Sequence, residues 1–308
     1  MSFFASTGFS LTTGFGLSSL ISIAYVLILY TSKSAVDGKE IDRNDPQVIT
    51  SRIIKVTSLS ILIVAILPSL LSKLSEEPTN KIYAELGFLP GLKYRYGELH
   101  WENGHLGLFT RDVLQSLLLV SILFVGPLID AAFFSSPDPQ FIVKELLGQL
   151  TTLQGIRDLI VGPLTEEIIY TSATIVTLYQ VRDVSTNTLI FLPPVFFSFA
   201  HFHHAYELYT KKTPIHLIGA VTAFQLLYTF LFGIFTNFVF LRTNNLWSCF
   251  AVHALCNFIG VPKFQVSTVK FQYWNYVYYV LLVAGSIGFY RFLFTFTQSS
   301  LALVPWGR

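Results

Sequence analysis

Charge is scarce in this chain. Of 308 residues, 20 are Lys or Arg and 18 are Asp or Glu, or 12%, against about 25% in a soluble domain. The two signs nearly cancel at a formal +2, which excludes the strongly basic surface that nucleic-acid binding requires. Only two cysteines occur, Cys249 and Cys256, which excludes a disulfide framework or a Cys-rich zinc site. Internal repeats and low-complexity tracts are absent. The chain also has no Gly-rich phosphate loop and no HExxH, so an ATPase or a zincin finds little support. The N-terminus lacks a basic n-region and an A-x-A-like end, so no cleaved signal peptide is expected.

Apolar surface is what the chain has in excess. Hydrophobic residues make 52%, aromatics 16%, with 29 Phe and 15 Tyr, and mean hydropathy is +0.57. A soluble globule of this size cannot hide that load, so the composition reads as a multi-spanning membrane protein. Charge-free stretches place crossings at 16–30, 56–72, 113–129, 184–206, 213–241, 243–262 and 271–290. A further segment, 156–181, is apolar at its flanks but carries Glu166 and Glu167 in the middle. Including it, the expected fold is all-α: a single-domain polytopic helical bundle over 1–308, with about eight transmembrane helices and a site in an intramembrane cavity. A short helix is expected around Ile142–Leu153, and 292–304 either extends the last crossing or lies on the surface. Tyr273 and Trp274 read as interfacial belt residues or as ordinary interhelical packing. Basic residues do not separate the polar loops 33–55 and 73–112, so they set no orientation.

Polar groups inside apolar helices are costly and need a reason. Three clusters stand out. In PLTEEIIYTS, 163–172, adjacent helical positions diverge by about 100°. One glutamate can therefore face a cavity while the other meets a neighbouring helix. Tyr170 and Thr171 stand four residues after Glu166 and Glu167, each pair on one face. A carboxylate held there can act as a general base on water, or is simply a buried acid bonded to backbone or Tyr.

In FSFAHFHHAYE, 197–207, His201 and His204 share one face and His203 and Glu207 another. That arrangement fits a metal site, a catalytic imidazole or a helix end entering the headgroup region. In WSCFAVHALCNF, 247–258, His253 and Asn257 lie four apart, with Cys256 beside them. Three roles compete: an oxyanion-holding pair, a Cys–His nucleophile, or interhelical hydrogen-bond glue. A Cys in an apolar helix is usually an inert small hydrophobe, which counts against the thiol.

The three motifs in this order, in a polytopic chain, resemble the eukaryotic type II CAAX prenyl endopeptidases, the Ras-converting enzymes of the wider CPBP or ABI family. The resemblance covers most of the chain and implies a catalytic core at about 150–262. It implies that Glu166 and His201 activate a water that attacks the peptide carbonyl after a prenylated cysteine. His253 and Asn257 would form the oxyanion hole, and Glu167 would be a supporting or second catalytic carboxylate. Phe197, Tyr170, His204 and Cys256 would line the substrate groove or support the site. The wider family often has EExxxR; Thr171 stands at that last position here, which leaves open what balances Glu167. A metal held by Glu166, His201 and His253 is chemically conceivable, but the resemblance favours a metal-free glutamate mechanism with no cofactor. The implied partners are prenylated CAAX proteins, such as Ras-like small GTPases and farnesylated peptide precursors, together with membrane lipid and no nucleic acid. The implied location is the endoplasmic reticulum membrane, with the site open to the cytosol. A transporter or a non-catalytic membrane scaffold would also place Glu and His inside helices.

Overall fold

The computed structural model describes residues 8–31, 44–134, 138, 140–263, 265–266 and 271–304. The basic residues Lys33, Lys39 and Arg43 of the first polar loop lie outside these. The described chain is a helical bundle with one small hairpin. In order it runs α1 (Leu11–Tyr30), α2 (Pro46–Ser75), α3 (Thr79–Glu85), β1 (Leu92–Arg95) and β2 (Glu98–Trp101). Then come α4 (His105–Leu123), α5 (Val125–Phe134), α6 (Phe141–Leu150) and α7 (Leu153–Tyr179). Three short helices follow: α8 (Thr186–Phe191), α9 (Pro193–Ala200) and α10 (His203–Thr210). The chain ends in α11 (Ile215–Thr243), α12 (Leu246–Ile259) and α13 (Trp274–Phe296). The strands pair antiparallel, with Leu92 opposite Trp101.

Six of these helices, α1, α2, α4, α7, α11 and α13, are long and apolar enough to cross a membrane. Two shorter apolar helices, α5 and α12, join them. The stretch 184–206, expected as one crossing, is divided among α8, α9 and α10. Pro193 and Pro194 lack the amide donors a continuous helix needs, and a turn at 201–202 starts α10 afresh. The short helix expected at 142–153 ends at Leu150, and α13 stops at Phe296, after which Leu301 and Val304 turn back into the protein as buried residues.

The helices form two tiers. The apolar window of α7 is 72% buried, against 11% for α13 and 22% for the other four long helices. Helix α7 is therefore the centre, with Ile169, Ile175, Val176 and Leu178 in the core, and the others present apolar faces outward, as lipid-facing helices do. Polar contacts pin the outer helices. Buried Arg242 of α11 donates to Thr297 Oγ1 and Phe294 O, both at 2.7 Å. Asp112 of α4 accepts from Ser299 Oγ at 2.5 Å, and Asp130 of α5 accepts from Trp274 Nε1 at 2.8 Å. Asn244 ends α11 in a left-handed conformation, and the Asn245 side chain then caps α12 through the Trp247 and Ser248 amides. Two residues thus join the helices, which fixes the height of α12 against α7.

The loop after α3 is a buried plug. Ser172 Oγ of α7 donates to Leu86 O at 2.7 Å, and Asn244 Nδ2 to Ala84 O at 3.2 Å. Gly87 has φ +70°, and a Cβ there would lie 2.8 Å from the Phe240 ring, so the position requires glycine. Beside the plug, Glu85 Oε2 accepts from Gln180 Nε2 at 2.7 Å, and Lys81 stands 3.9 Å from its other oxygen. Burial pushes the Glu85 carboxyl up to about 7, against the opposing pull of the Lys81 ammonium and the Gln180 amide. Because the folded value is raised, protonation favours the folded state. Its contribution is complete below the ordinary glutamate value and is lost as pH rises through about 7. Thermal melts in detergent across pH 4.5 to 8 should therefore show a steeper loss of stability in wild type than in Glu85→Gln; equal slopes would refute this account.

Candidate active site

Helix α7 is not a regular helix. Gly162–Glu166 is an α-helical turn flanked by two π-helical turns, Arg157–Val161 and Glu167–Ala173. Pro163 cannot donate a backbone hydrogen bond, and a Cβ on Gly162 would meet Arg157 O at 2.8 Å. The sequence therefore tolerates a widened coil at this level. Thr165 Oγ1 donates to Val161 O at 2.7 Å, and Tyr25 OH of α1 lies 2.8 Å from the same hydroxyl. Such π turns widen a helix where side chains must be re-aimed.

The two glutamates part company as their angular separation requires. Glu167 turns inward and is 2% exposed. Its Oε2 accepts from Thr171 Oγ1 at 2.6 Å, and its Oε1 from His253 Nδ1 at 2.8 Å. Glu166 turns to a cavity of about 750 Å³, and its Oε2 stands 3.6 Å from His253 Nε2. One imidazole thus faces both carboxylates, one at each nitrogen. Two acids placed this close repel unless a cation or donor stands between them, and His253 occupies that place. Thr171, together with His253, answers what satisfies Glu167.

The remaining groups reach the cavity from α9 to α12. His201 Nδ1 donates to Phe197 O at 2.8 Å, which leaves Nε2 as an acceptor. The Phe197 ring contacts His201 and His253, with centroids 4.8 and 6.1 Å away. His204 lies 5.9 Å from His201, ring to ring. Asn257 Nδ2 donates to the backbone carbonyl of Asp158 at 2.9 Å, which ties the end of α12 to the first π turn and engages one of the two amide hydrogens. Tyr170, Cys256 and Asn257 all line the cavity with Glu166, Phe197, His201, His204 and His253; Glu167 lies behind it. Among the described residues, one group has metal-ligand atoms within 4.8 Å of one another: His203, His204 and Glu207. It differs from the Glu166, His201 and His253 set considered from sequence. Sequence reasoning passed over Tyr25 and Tyr228, which also line the cavity; lone residues in apolar segments carry no spacing signal.

Residues 148–259 match the family model of the type II CAAX prenyl endopeptidase Rce1-like proteins. The CAAX prenyl protease 2 of Saccharomyces cerevisiae is 33% identical over 292 residues, covering 87% of this chain and 90% of that protein. The chain belongs to this family. The probable CAAX prenyl protease 2 of Schizosaccharomyces pombe is 30% identical, covering 89% of this chain and 90% of that protein. The CAAX prenyl protease 2 of Homo sapiens is 31% identical, covering 79% and 69%. No solved structure matches the chain. All three polar clusters fall inside the segment that the family model matches.

The geometry separates the two glutamates by their structural weight. Glu167→Ala strands a buried imidazole N–H and a buried hydroxyl and should cost about 3 kcal/mol of stability. Glu166→Ala, at the cavity wall, should cost no more than about 1 kcal/mol. Melting of the two variants in detergent checks this; equal losses would contradict the inward and outward assignment.

Proposed function

We propose that the chain is an intramembrane endopeptidase that removes the C-terminal tripeptide from prenylated CAAX proteins by a glutamate- and histidine-activated water. One observation carries the reading. A carboxylate, Glu166, opens into a mostly apolar cavity at the level of the spanning helices, flanked by His201 and His253. Membership of the family and the names of its relatives support the substrate class.

In this reading the scissile carbonyl sits beside Glu166. His201 Nε2 accepts one water hydrogen, because its Nδ1 is committed to Phe197 O. Glu166 takes the other proton as the water oxygen attacks the carbonyl carbon. His253 as an imidazolium donates at Nδ1 to Glu167 and at Nε2 to the oxyanion, and the second amide hydrogen of Asn257 completes the hole. Collapse breaks the C–N bond, Glu166 returns its proton to the leaving amine, and the proton left on the new carboxyl group passes by way of His201 to the amine, which leaves as an ammonium. The products are a prenyl-cysteine carboxylate and a free tripeptide. Tyr170, Phe197 and His204 shape the wall, and Cys256 supplies wall surface without chemistry. Apolar Val56, Val120, Leu123 and Phe124 line the same cavity and suit the isoprenoid.

The finer reading follows the family resemblance. The chain works as one domain with its catalytic core at about 150–262. With α12 and the divided stretch 184–206, the chain makes about eight passes in the endoplasmic reticulum membrane, and the cavity is reached from the cytosol. Ras-like small GTPases and farnesylated peptide precursors are its substrates.

The test is tripeptide release from a farnesylated CAAX peptide by detergent-purified protein, read by mass. Glu166→Ala, His201→Ala and His253→Ala should each lose at least about 100-fold in rate. Cys256→Ala and wild type with a chelator should retain cleavage. No release by folded wild type across several prenylated peptides would replace this reading with a transporter or scaffold.

A further inference from the structure

Each peptide bond carries a donor and an acceptor, and both need partners once they leave water for a mostly apolar cavity. A tripeptide leaving the proposed site brings two such bonds besides the one that is cut. Glu166, His201, His253 and Asn257 are committed to the water and the oxyanion. Partners for the substrate backbone must come from another part of the cavity wall.

Helix α11 supplies that part. Gln225, Tyr228, Thr229 and Phe232 line the cavity, and two contacts set their height. The Phe232 ring lies 4.7 Å from the His253 ring, centroid to centroid. Ser198 Oγ of α9 donates to Leu226 O at 2.7 Å, so Gln225 stands beside the turn that leads into His201. The His201 ring folds back onto Phe197 O, which keeps the imidazole at this height. Seven residues make nearly two helical turns, so Gln225 shares the face of Phe232 and lies about 10 Å from it along the axis. This face therefore runs from the level of His253 to that of His201.

The polar groups on α11 are not equivalent. Thr229 Oγ1 donates to the backbone carbonyls of Gln225 and Leu226 at 2.8 and 3.2 Å, which closes the helix on itself. Asn237 donates to Leu189 O and Ile190 O at 3.3 and 3.2 Å. Among the described residues, no hydrogen bond holds the side-chain amide of Gln225. An amide with neither donor nor acceptor engaged, on a charge-free spanning helix, is costly unless something that enters the cavity completes it.

We propose that Gln225 binds the backbone of the middle residue of the departing tripeptide, Oε1 accepting from its N–H and Nε2 donating to its carbonyl. The proposal rests on the endopeptidase reading above. In an extended chain the N–H and C=O of one residue point to the same side, and a primary amide offers the matching acceptor and donor. Of the three departing residues, only the middle one keeps both groups in intact peptide bonds. The first gives up its nitrogen as the leaving amine, and the last ends in the carboxylate. Such a contact is blind to side chains, so it holds tripeptides of differing sequence in one register.

The experiment uses the full-length purified protein and two farnesylated CAAX peptides of one sequence. One is all-amide; in the other an ester oxygen replaces the N–H of the tripeptide's middle residue. Tripeptide release is followed by mass. Wild type should lose roughly 10-fold in kcat/KM on the ester, the scale of one desolvated hydrogen bond. Gln225→Met keeps the length of the side chain without its amide. It should cleave the all-amide peptide roughly 10-fold less well than wild type does, with the ratio of the two peptides brought close to one. Wild type that cleaves both peptides equally overturns the proposal, and so does a Gln225→Met protein of unchanged melting temperature that keeps the full ester penalty. Wild type that releases nothing from the all-amide peptide overturns the endopeptidase reading and this proposal with it.

Discussion

A single imidazole between two carboxylates is the contact on which the centre of the molecule depends. Glu167 is buried in the most enclosed of the six long helices described, where an unpaired charge is untenable. It persists because His253 and Thr171 each donate to one of its oxygens. His253 in turn must arrive from another helix at a defined height. The Asn244–Asn245 junction and the plug at Ala84–Leu86 provide that height, tying α11, α12 and α7 together. Only with this scaffold in place does Glu166 face the cavity with His253 beside it.

The outer tier obeys a different rule. Its helices are exposed along apolar faces, with Leu20, Ile61 and Val280 each about two-thirds uncovered. Lipid satisfies such faces as well as a neighbouring helix would, so apolar burial alone cannot choose partners there. The choice falls to polar contacts such as Arg242 with Thr297 and Asp130 with Trp274. These are dispersed around the bundle, while the central tier gathers polar groups around one cavity.

Much of the bundle was legible in the sequence because charge-free runs are a strong signal. The EE pair was legible too, since adjacent helical residues must diverge and the structure sends one inward and one outward. Spacing placed His253 and Asn257 on one helix face, and both line the cavity. The division of 184–206 was less visible, because hydropathy averages over the Pro193–Pro194 pair. Spacing alone gave no hint that Asn257 would spend one hydrogen on the Asp158 carbonyl, since that contact depends on a π turn in another helix. Spacing paired His201 with His204 and His203 with Glu207; the structure draws His203, His204 and Glu207 together, beside His201 across the turn at 201–202. Tyr25 became visible only once α1 was packed against α7.

The two π turns of α7 have a consequence for direction. Each inserts the equivalent of one extra residue into a helical coil and so shifts the phase of everything beyond it. The segment before Arg157, the turn bearing Glu166 and the segment from Thr174 onward therefore point their side chains by three independent settings. A straight helix would force a compromise: a rotation that brought Glu166 to the cavity would also turn the apolar residues Ile175, Val176 and Leu178. With phase slips on both sides, the helix behaves as a crankshaft. Its lower throw can turn a carboxylate to the cavity while its upper throw remains seated in a dry core.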